Sequence, residues 1–131
     1  MTAVDTNIIV RILIGDDAGQ TVAARAVFET GPIWISKTVL LETACVLGRL
    51  YEYESSAVHD ALLIVLAFPD TTVEDEASVR LALSLMERGV TFADALHLFS
   101  CPPGAHFVSF DRTFIRRAKK AGVQDVSEVP A

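Results

Sequence analysis

Residues 2–13, TAVDTNIIVRIL, decide the fold because they join a short extended segment to a helix at a single acidic residue. The letters TAV predict a strand, and TNIIVRIL carries apolar residues at the spacing of one helix face. Asp5 stands between the two, inside one of the most apolar segments of the chain. Because a buried carboxylate is costly unless it is paired or binds a metal, this junction is predicted to carry either a helix cap or a ligand site.

The rest of the chain repeats this alternation of short strands and helices. Further strands are predicted at residues 32–36, 71–73, 106–110 and 123–126. Further helices are predicted at residues 17–31, 37–51, 54–68, 74–89, 91–99 and 111–122. This order is typical of the α/β class, and it predicts a three-layer α/β/α sandwich around a short parallel sheet.

Size and charge limit the possible functions. The chain has 131 residues, 51% of them hydrophobic, with no repeats and no flexible linker, so it is predicted to form one domain over residues 1–131. Its net charge of −6 excludes a protein that holds nucleic acid by counterion release alone. A nucleic-acid function would therefore need another source of positive charge at its site.

The same composition predicts a cytoplasmic protein without a membrane segment. The longest apolar run, ALLIVLAF at residues 61–68, is far shorter than the roughly 20 residues that span a bilayer. The start of the chain lacks the basic region of a signal peptide. Cys45 and Cys101 have no metal-ligand spacing, which suits a reducing compartment better than a disulfide framework.

Four carboxylates are candidates for a shared ligand site. In open parallel sheets, ligands bind at the carboxyl ends of the strands, and Asp5 and Asp111 each follow a predicted strand. Glu42 has no cation three or four residues away on its predicted helix, so a surface ion pair does not explain it. Asp94 has only His97 at such a spacing, and that histidine could pair with Asp94 or lie near an interface or a substrate.

Helix capping offers another explanation for three of these acids. Asp5 and Asp111 precede predicted helices and are good N-cap residues. Asp94 completes a capping box with Thr91. Glu42 lies in mid-helix, on a largely apolar face, and caps nothing. Capping and metal binding are compatible, because a carboxylate held at a helix N-terminus suits either role.

Convergence of the four acids would require a cation. Two carboxylates about 6 Å apart repel each other by roughly 3 kcal/mol at an effective dielectric constant near 20. The six pairs among four acids would together cost about as much as the whole stability of a domain. An all-oxygen ligand set favours a hard divalent ion, Mg²⁺ or Mn²⁺, over zinc. Such an ion could orient a phosphodiester and activate water.

These acids lie in segments that together resemble a known family. The segments are VDTNIIVRIL with Asp5, the predicted helix with Glu42, FADALHLFS with Asp94, and FVSFDRTFIRRAKKAGV with Asp111. Together they resemble PIN-domain proteins, and their order and spacing are similar to those of VapC-type toxins of prokaryotic toxin–antitoxin pairs. The resemblance covers essentially the whole chain.

The resemblance implies a fold, an activity and a set of site residues. The first and fourth strands would be neighbours in the sheet. The protein would be an endoribonuclease that uses Mg²⁺ or Mn²⁺ to activate water and leaves a 5′-phosphate and a 3′-hydroxyl. The catalytic and metal-binding residues would be Asp5, Glu42, Asp94 and Asp111. The supporting hydrogen-bonding residues would be Thr6, Asn7 and Ser109.

The resemblance also implies partners. The early helices of the family form a dimer face and a groove for an antitoxin peptide, and the ALLIVLAF helix is more apolar than a surface helix of a small domain needs. A homodimer and a small antitoxin protein are therefore expected, together with an RNA substrate.

Positive charge collects after the fourth acid. Residues 112–120 hold five of the eleven lysines and arginines, and Arg112, Arg116 and one of the two lysines share a helical face. One explanation is a solvated helix end whose cations complement the helix dipole. The other is a face on which Arg112 and Arg116 bind RNA phosphates. Five aromatic residues are predicted to pack in the core and not to stack on bases, namely Phe92, Phe99, Phe107, Phe110 and Phe114.

Three other function classes compete with a nuclease. A phosphoacceptor signalling domain also gathers acids and Mg²⁺, but it needs a lysine at the end of a late strand, and VQDV has none. A hydrolase with an aspartyl nucleophile needs Asp-x-Asp after the first strand, and DTN lacks the second aspartate. A catalytically silent PIN-like module that binds RNA or protein is the alternative, although all four acids are present.

Overall fold

The chain alternates short strands with longer helices throughout the part that the structure, a computed structural model, describes, which is residues 1–130. Contacts between Cα atoms divide it into two compact units, Met1–Glu76 and a second unit that begins at Ala77. The expectation of a single domain over residues 1–131 stays a prediction, and each unit is described here by itself.

The first unit has a parallel three-stranded sheet surrounded by four helices. In chain order its elements are β1 Thr2–Ala3, α1 Thr6–Ile14, α2 Ala18–Glu29, β2 Ile33–Ile35, α3 Lys37–Arg49, α4 Ser55–Leu66 and β3 Thr71–Val73. The strand order is β1-β2-β3, with Ile33 of the central strand in register with Thr2 and Thr71. Ile33 and Ile35 are fully buried, so the central strand forms the core of this unit.

An arginine network connects three helices of the first unit at their polar edge. The Arg11 side chain in α1 donates to Gln20 of α2 at 2.6 Å, to Asp16 at 3.0 Å and to the Tyr51 hydroxyl just after α3 at 3.3 Å. The hydrogen bond that Arg11 donates to Tyr51, followed by the charge of Asp16, raises the pKa of Arg11 above its usual value. The three hydrogen bonds of this one side chain connect α1, α2 and the end of α3.

The second unit has a parallel pair of strands and three helices. Its elements are α5 Glu76–Met86, which begins at the last residue of the first unit, then α6 Phe92–Phe99, β4 Phe107–Ser109, α7 Arg112–Lys120 and β5 Val126–Glu128. Strands β4 and β5 pair in register, Phe107 with Val126. The Phe107 ring meets the buried Phe114 ring of α7 edge to face at 5.9 Å between centroids, which packs α7 against the pair.

Most predicted elements are confirmed, and so is the α/β class with helices and short parallel sheets. The last strand is shifted: it was expected at residues 123–126 and lies at Val126–Glu128. The cause is the end of α7, where Gly122 adopts a φ of 97° and the Val123 backbone donates to the Ala118 carbonyl at 3.1 Å. Val123 therefore completes a helix cap and not a strand.

Hydrogen-bonded strand pairs occur within each unit: β1 with β2 and β2 with β3 in the first, and β4 with β5 in the second. Both residues of β1 lie in register with β2. That the first and fourth strands are neighbours, as the resemblance implied, stays a prediction. No helix in the described residues is both long and apolar enough to cross a bilayer.

The backbone conformation just after α5 should require a glycine at position 89. Its φ is 87°, its carbonyl accepts from Arg117 Nη1 at 2.7 Å, and a Cβ there would lie 3.0 Å from Arg117 Cζ. We expect Gly89→Ala to lower the free energy of unfolding by about 1–2 kcal/mol, because a side chain at positive φ is strained. Chemical denaturation measures the change.

The matched control for Gly89→Ala is Gly48→Ala in α3. Gly48 has helical neighbours and nothing within 4 Å of an added Cβ. Alanine there should stabilise the protein by about 0.5–1 kcal/mol, because it is the better helix former. Equal effects of the two substitutions would contradict the assignment of strain to Gly89.

Candidate functional site

Asp5 is the N-cap of α1, as one reading of the sequence predicted. Its backbone is extended, and its Oδ1 accepts from the Thr6 backbone nitrogen at 2.7 Å. The carboxylate is exposed although Val4 and Thr6 on either side are buried. The predicted cap is confirmed, and Asp5 is not a buried carboxylate, because its apolar neighbours face the core while the acid lies at the surface.

Thr6 and Asn7, the two residues after this cap, differ in burial. The Thr6 side chain is 3% exposed, and its hydroxyl is the one buried side-chain N or O atom in residues 1–130 without a hydrogen-bond partner. Leaving a buried hydroxyl unpaired costs about 1–3 kcal/mol. Asn7 is exposed. The unpaired Thr6 hydroxyl lies in the residue next to Asp5.

Glu42 lies on the exposed side of α3. The sequence placed it on an apolar face, but the buried residues of this helix are Leu40, Thr43, Ala44 and Leu47, and Glu42 is exposed. Its carboxylate makes no hydrogen bond or ion pair with any residue from 1 to 130. An exposed glutamate on the solvent side of a helix is ordinary, so its position alone does not mark Glu42 as a ligand.

Asp111 is the N-cap of α7 and is fixed from two directions. Its Oδ1 accepts from the Phe114 backbone nitrogen at 3.0 Å, and its own backbone nitrogen donates to Ser109 Oγ at 3.0 Å. The predicted cap is confirmed. Ser109, predicted as a supporting residue, lies at the end of β4 and orients the turn that carries Asp111.

Asp94 lies in the first turn of α6 and is half-buried. Its backbone nitrogen donates to the Thr91 hydroxyl at 3.2 Å, which confirms one half of the predicted capping box. Its carboxylate has no hydrogen-bond or ion-pair partner within the described chain, and His97, which is exposed, does not pair with it. The acid is therefore free to bind a ligand.

Each unit contains two of the four acids: Asp5 and Glu42 lie in the first, and Asp94 and Asp111 lie in the second. Throughout residues 1–130, no three His, Cys, Asp or Glu side chains form a group that could hold a metal ion. Convergence of the four acids on one metal therefore stays a prediction.

The cations of α7 line two neighbouring open pockets in the second unit. One has a volume of about 490 Å³ and is lined by Arg112, Arg116, Lys119 and Lys120 together with Glu128. Arg112 Nε lies 2.8 Å from Glu128 Oε1. Arg117, the fifth cation of the cluster, instead donates to the Gly89 carbonyl. Four of the five cations therefore form one positive surface, and the fifth is structural.

One family model decides which proteins this chain belongs with. The model of the PIN domain matches residues 2–120. The chain belongs to the PIN domain family. PIN domains are generally nucleases that use divalent metals, so the chain has a nuclease-type fold. No curated protein gives a significant match to the chain.

The four acids carry the type of donor atom that the divalent metals of PIN nucleases prefer, although no three of them form a group in residues 1–130. Asp5 and Asp111 each engage one carboxylate oxygen in a helix cap, and the other oxygen has no partner in residues 1–130. The carboxylates of Glu42 and Asp94 have no partner there at all. This set consists of oxygen donors only, which is the ligand chemistry that Mg²⁺ and Mn²⁺ prefer.

The positive surface formed by Arg112, Arg116, Lys119 and Lys120 is called the α7 surface below. Two residues beside it, Phe110 and Glu128, were not predicted from the sequence. Phe110 was expected in the core but is 86% exposed, so that prediction was wrong. The residue types gave no signal of this exposure, because the alternation that exposes Phe110 is seen only in the structure: Phe107 and Ser109 of β4 are half-buried, and Val108 is exposed. Glu128 carried no signal, because its contact with Arg112 joins residues far apart in the chain.

Proposed function

We propose that this PIN-domain protein is a metal-dependent endoribonuclease, the toxin of a type II toxin–antitoxin pair, which hydrolyses RNA phosphodiester bonds. The observation that carries the proposal is the family match over residues 2–120 in a chain that retains all four motif acids. The unengaged carboxylate oxygens described above support it. A PIN-like module without activity would have no need to keep four such acids.

The proposed roles follow from the position of each residue. The metal-binding and catalytic residues are Asp5, Glu42, Asp94 and Asp111. A bound divalent ion would activate water and stabilise the leaving oxygen of the phosphodiester. The caps of α1 and α7 hold two of the carboxylates in place. Ser109 positions Asp111, and Thr6 and Asn7 supply further polar groups beside Asp5.

The α7 surface is the proposed RNA-binding face. Arg112 and Arg116 line a pocket with two lysines and a single carboxylate, so this face is positive on a chain whose net charge is −6. It supplies the local positive charge that a nucleic-acid function requires.

Partners are part of the proposal. Leu63 and Ile64 of α4 are 39% and 55% exposed, which leaves apolar surface on an early helix. We assign this surface to a homodimer and a small antitoxin protein, acting in the cytoplasm. The mass of the purified protein in solution tests the dimer.

RNA cleavage by purified, antitoxin-free protein tests the proposed function. We expect a mixed cellular RNA pool to be cut in Mg²⁺ or Mn²⁺, cleavage to stop in EDTA, and activity to return when metal is added in excess. Products should carry a 5′-phosphate and a 3′-hydroxyl. A folded, metal-loaded sample that leaves RNA intact would favour the alternative, a catalytically silent RNA- or protein-binding module.

A further inference from the structure

Phe110 is the most exposed large apolar side chain in residues 1–130, at 86% of its surface. It lies between β4 and α7, directly before Asp111. A single exposed apolar residue is ordinary and needs no explanation. What distinguishes Phe110 is the surface around it.

The ring borders a cationic surface. Phe110 lines an open pocket of about 500 Å³ with Arg112 and Lys119, and this pocket shares those two cations with the pocket of about 490 Å³ that adds Arg116 and Lys120. Glu128 is the one acid among the described residues lining either pocket. The two pockets together therefore present an aromatic ring beside four positive charges.

The one ion pair at this surface is weak. Arg112 lies 2.8 Å from Glu128, but their side chains are 86% and 49% exposed. Exposed ion pairs contribute little to stability, so a phosphate can replace Glu128 at little cost. Arg112 is thus available to a phosphate as well as to Glu128.

Proteins that bind single-stranded nucleic acid combine a positively charged groove with aromatic side chains on which bases stack. The cations contact phosphates, and an unstacked base lies on the ring. A second copy of this chain fits the surface poorly, because a two-fold contact would bring the same four cations together. An acidic peptide matches the charge but has no need of an exposed ring.

We propose that Phe110 and the α7 cations form a subsite for one nucleotide of single-stranded RNA, with the base stacked on the Phe110 ring and its phosphates at Arg112 and Lys119. This rests on the proposed function, whose substrate class it narrows to unpaired RNA. Because Phe110 and Asp111 are adjacent residues, the subsite places the strand beside one of the proposed metal-binding acids.

Binding without catalysis tests the subsite. Fluorescence anisotropy with a labelled oligouridylate of roughly 10 nucleotides, in EDTA, measures the dissociation constant of the full chain. We expect Phe110→Ala to weaken binding about 5- to 30-fold, the loss of one base–aromatic stack. The slope of log affinity against log salt should not change, because no phosphate contact is lost.

Two further variants separate stacking from apolar contact and from misfolding. Phe110→Trp should bind as tightly as the original chain or more tightly, whereas Phe110→Leu, which is apolar but has no ring, should behave like Phe110→Ala. Each should unfold at the same denaturant concentration as the original chain. A duplex of the same length should bind all four proteins alike, because its bases are already stacked.

Several outcomes would overturn the subsite. The first is an unchanged affinity for the oligouridylate in Phe110→Ala or in Phe110→Leu. The second is an equal loss of affinity for the duplex. The third is an equal loss of affinity for polyglutamate, which would indicate that the surface binds an acidic protein. If RNA binding depends on Phe110 but no RNA is cleaved in metal, the proposed function fails and the subsite stands. If RNA is cleaved in metal but Phe110→Ala does not change RNA binding, the proposed function stands and the subsite fails.

Discussion

We expect Asp94→Asn to lower the rate of RNA cleavage by about 100-fold or more, with the fold unchanged. Removing one charged ligand from a metal that stabilises a phosphoryl transition state costs several kcal/mol. The fold should tolerate the change because the Asp94 carboxylate makes no contact with residues 1–130 that asparagine would lose. The bond to Thr91 uses the Asp94 backbone nitrogen, which asparagine retains. Cleavage of a defined RNA in Mg²⁺ measures the effect.

Asp125→Asn is the matched control for Asp94→Asn. Asp125 belongs to the same unit, its side chain is 73% exposed, and it approaches only His106, at 3.9 Å. The control carries the same loss of one negative charge, at the end of the β4–β5 pair opposite Asp111, so it should keep full activity. Equal activity of the two variants, or cleavage that persists in EDTA, would remove Asp94 from the proposed metal site.

The second large effect should come from reversing charge on α7. We expect the double variant Arg112→Glu and Arg116→Glu to weaken RNA binding by about 30- to 100-fold near physiological salt, since two charge-assisted phosphate contacts are lost. The salt slope for single-stranded RNA should fall by about 0.7 for each contact removed. Titration at several salt concentrations in EDTA measures both quantities.

A second double variant controls for net charge. Arg49→Glu and Arg88→Glu change the net charge by the same amount at exposed positions outside the α7 pockets. We expect this control to lower affinity by less than about threefold at the same salt, because neither arginine lines an α7 pocket and charges that make no direct phosphate contact are screened. If both double variants weaken binding alike, the α7 surface is not the RNA-binding face.

Helix caps were the part of the site that sequence predicted well. Asp5, Asp111 and Thr91 each cap the helix that follows them, because capping depends on residues one to three positions apart. The element order was predicted for the same reason, since apolar spacing and glycine positions are local signals. The four candidate acids could likewise be selected from their neighbours in the chain.

The sequence did not predict which residues are buried or which distant residues pair. Asp5 and Glu42 lie in apolar segments yet are exposed, because exposure depends on which face of the element meets the core. Arg117 could not be separated from its four cationic neighbours until its bond to Gly89 was seen. The five cations look equivalent in sequence, but only four of them face a common pocket.

The sequence by itself determined the α/β class, the order of the elements, the capping residues and the family, because these depend on local chemistry and on motifs that short stretches carry. Only the tertiary structure decided that Phe110 is exposed beside Arg112, that Glu128 pairs with that arginine, and that β4 pairs with β5. The physical reason is that these features depend on how residues far apart in the chain pack together, and no local propensity records that packing.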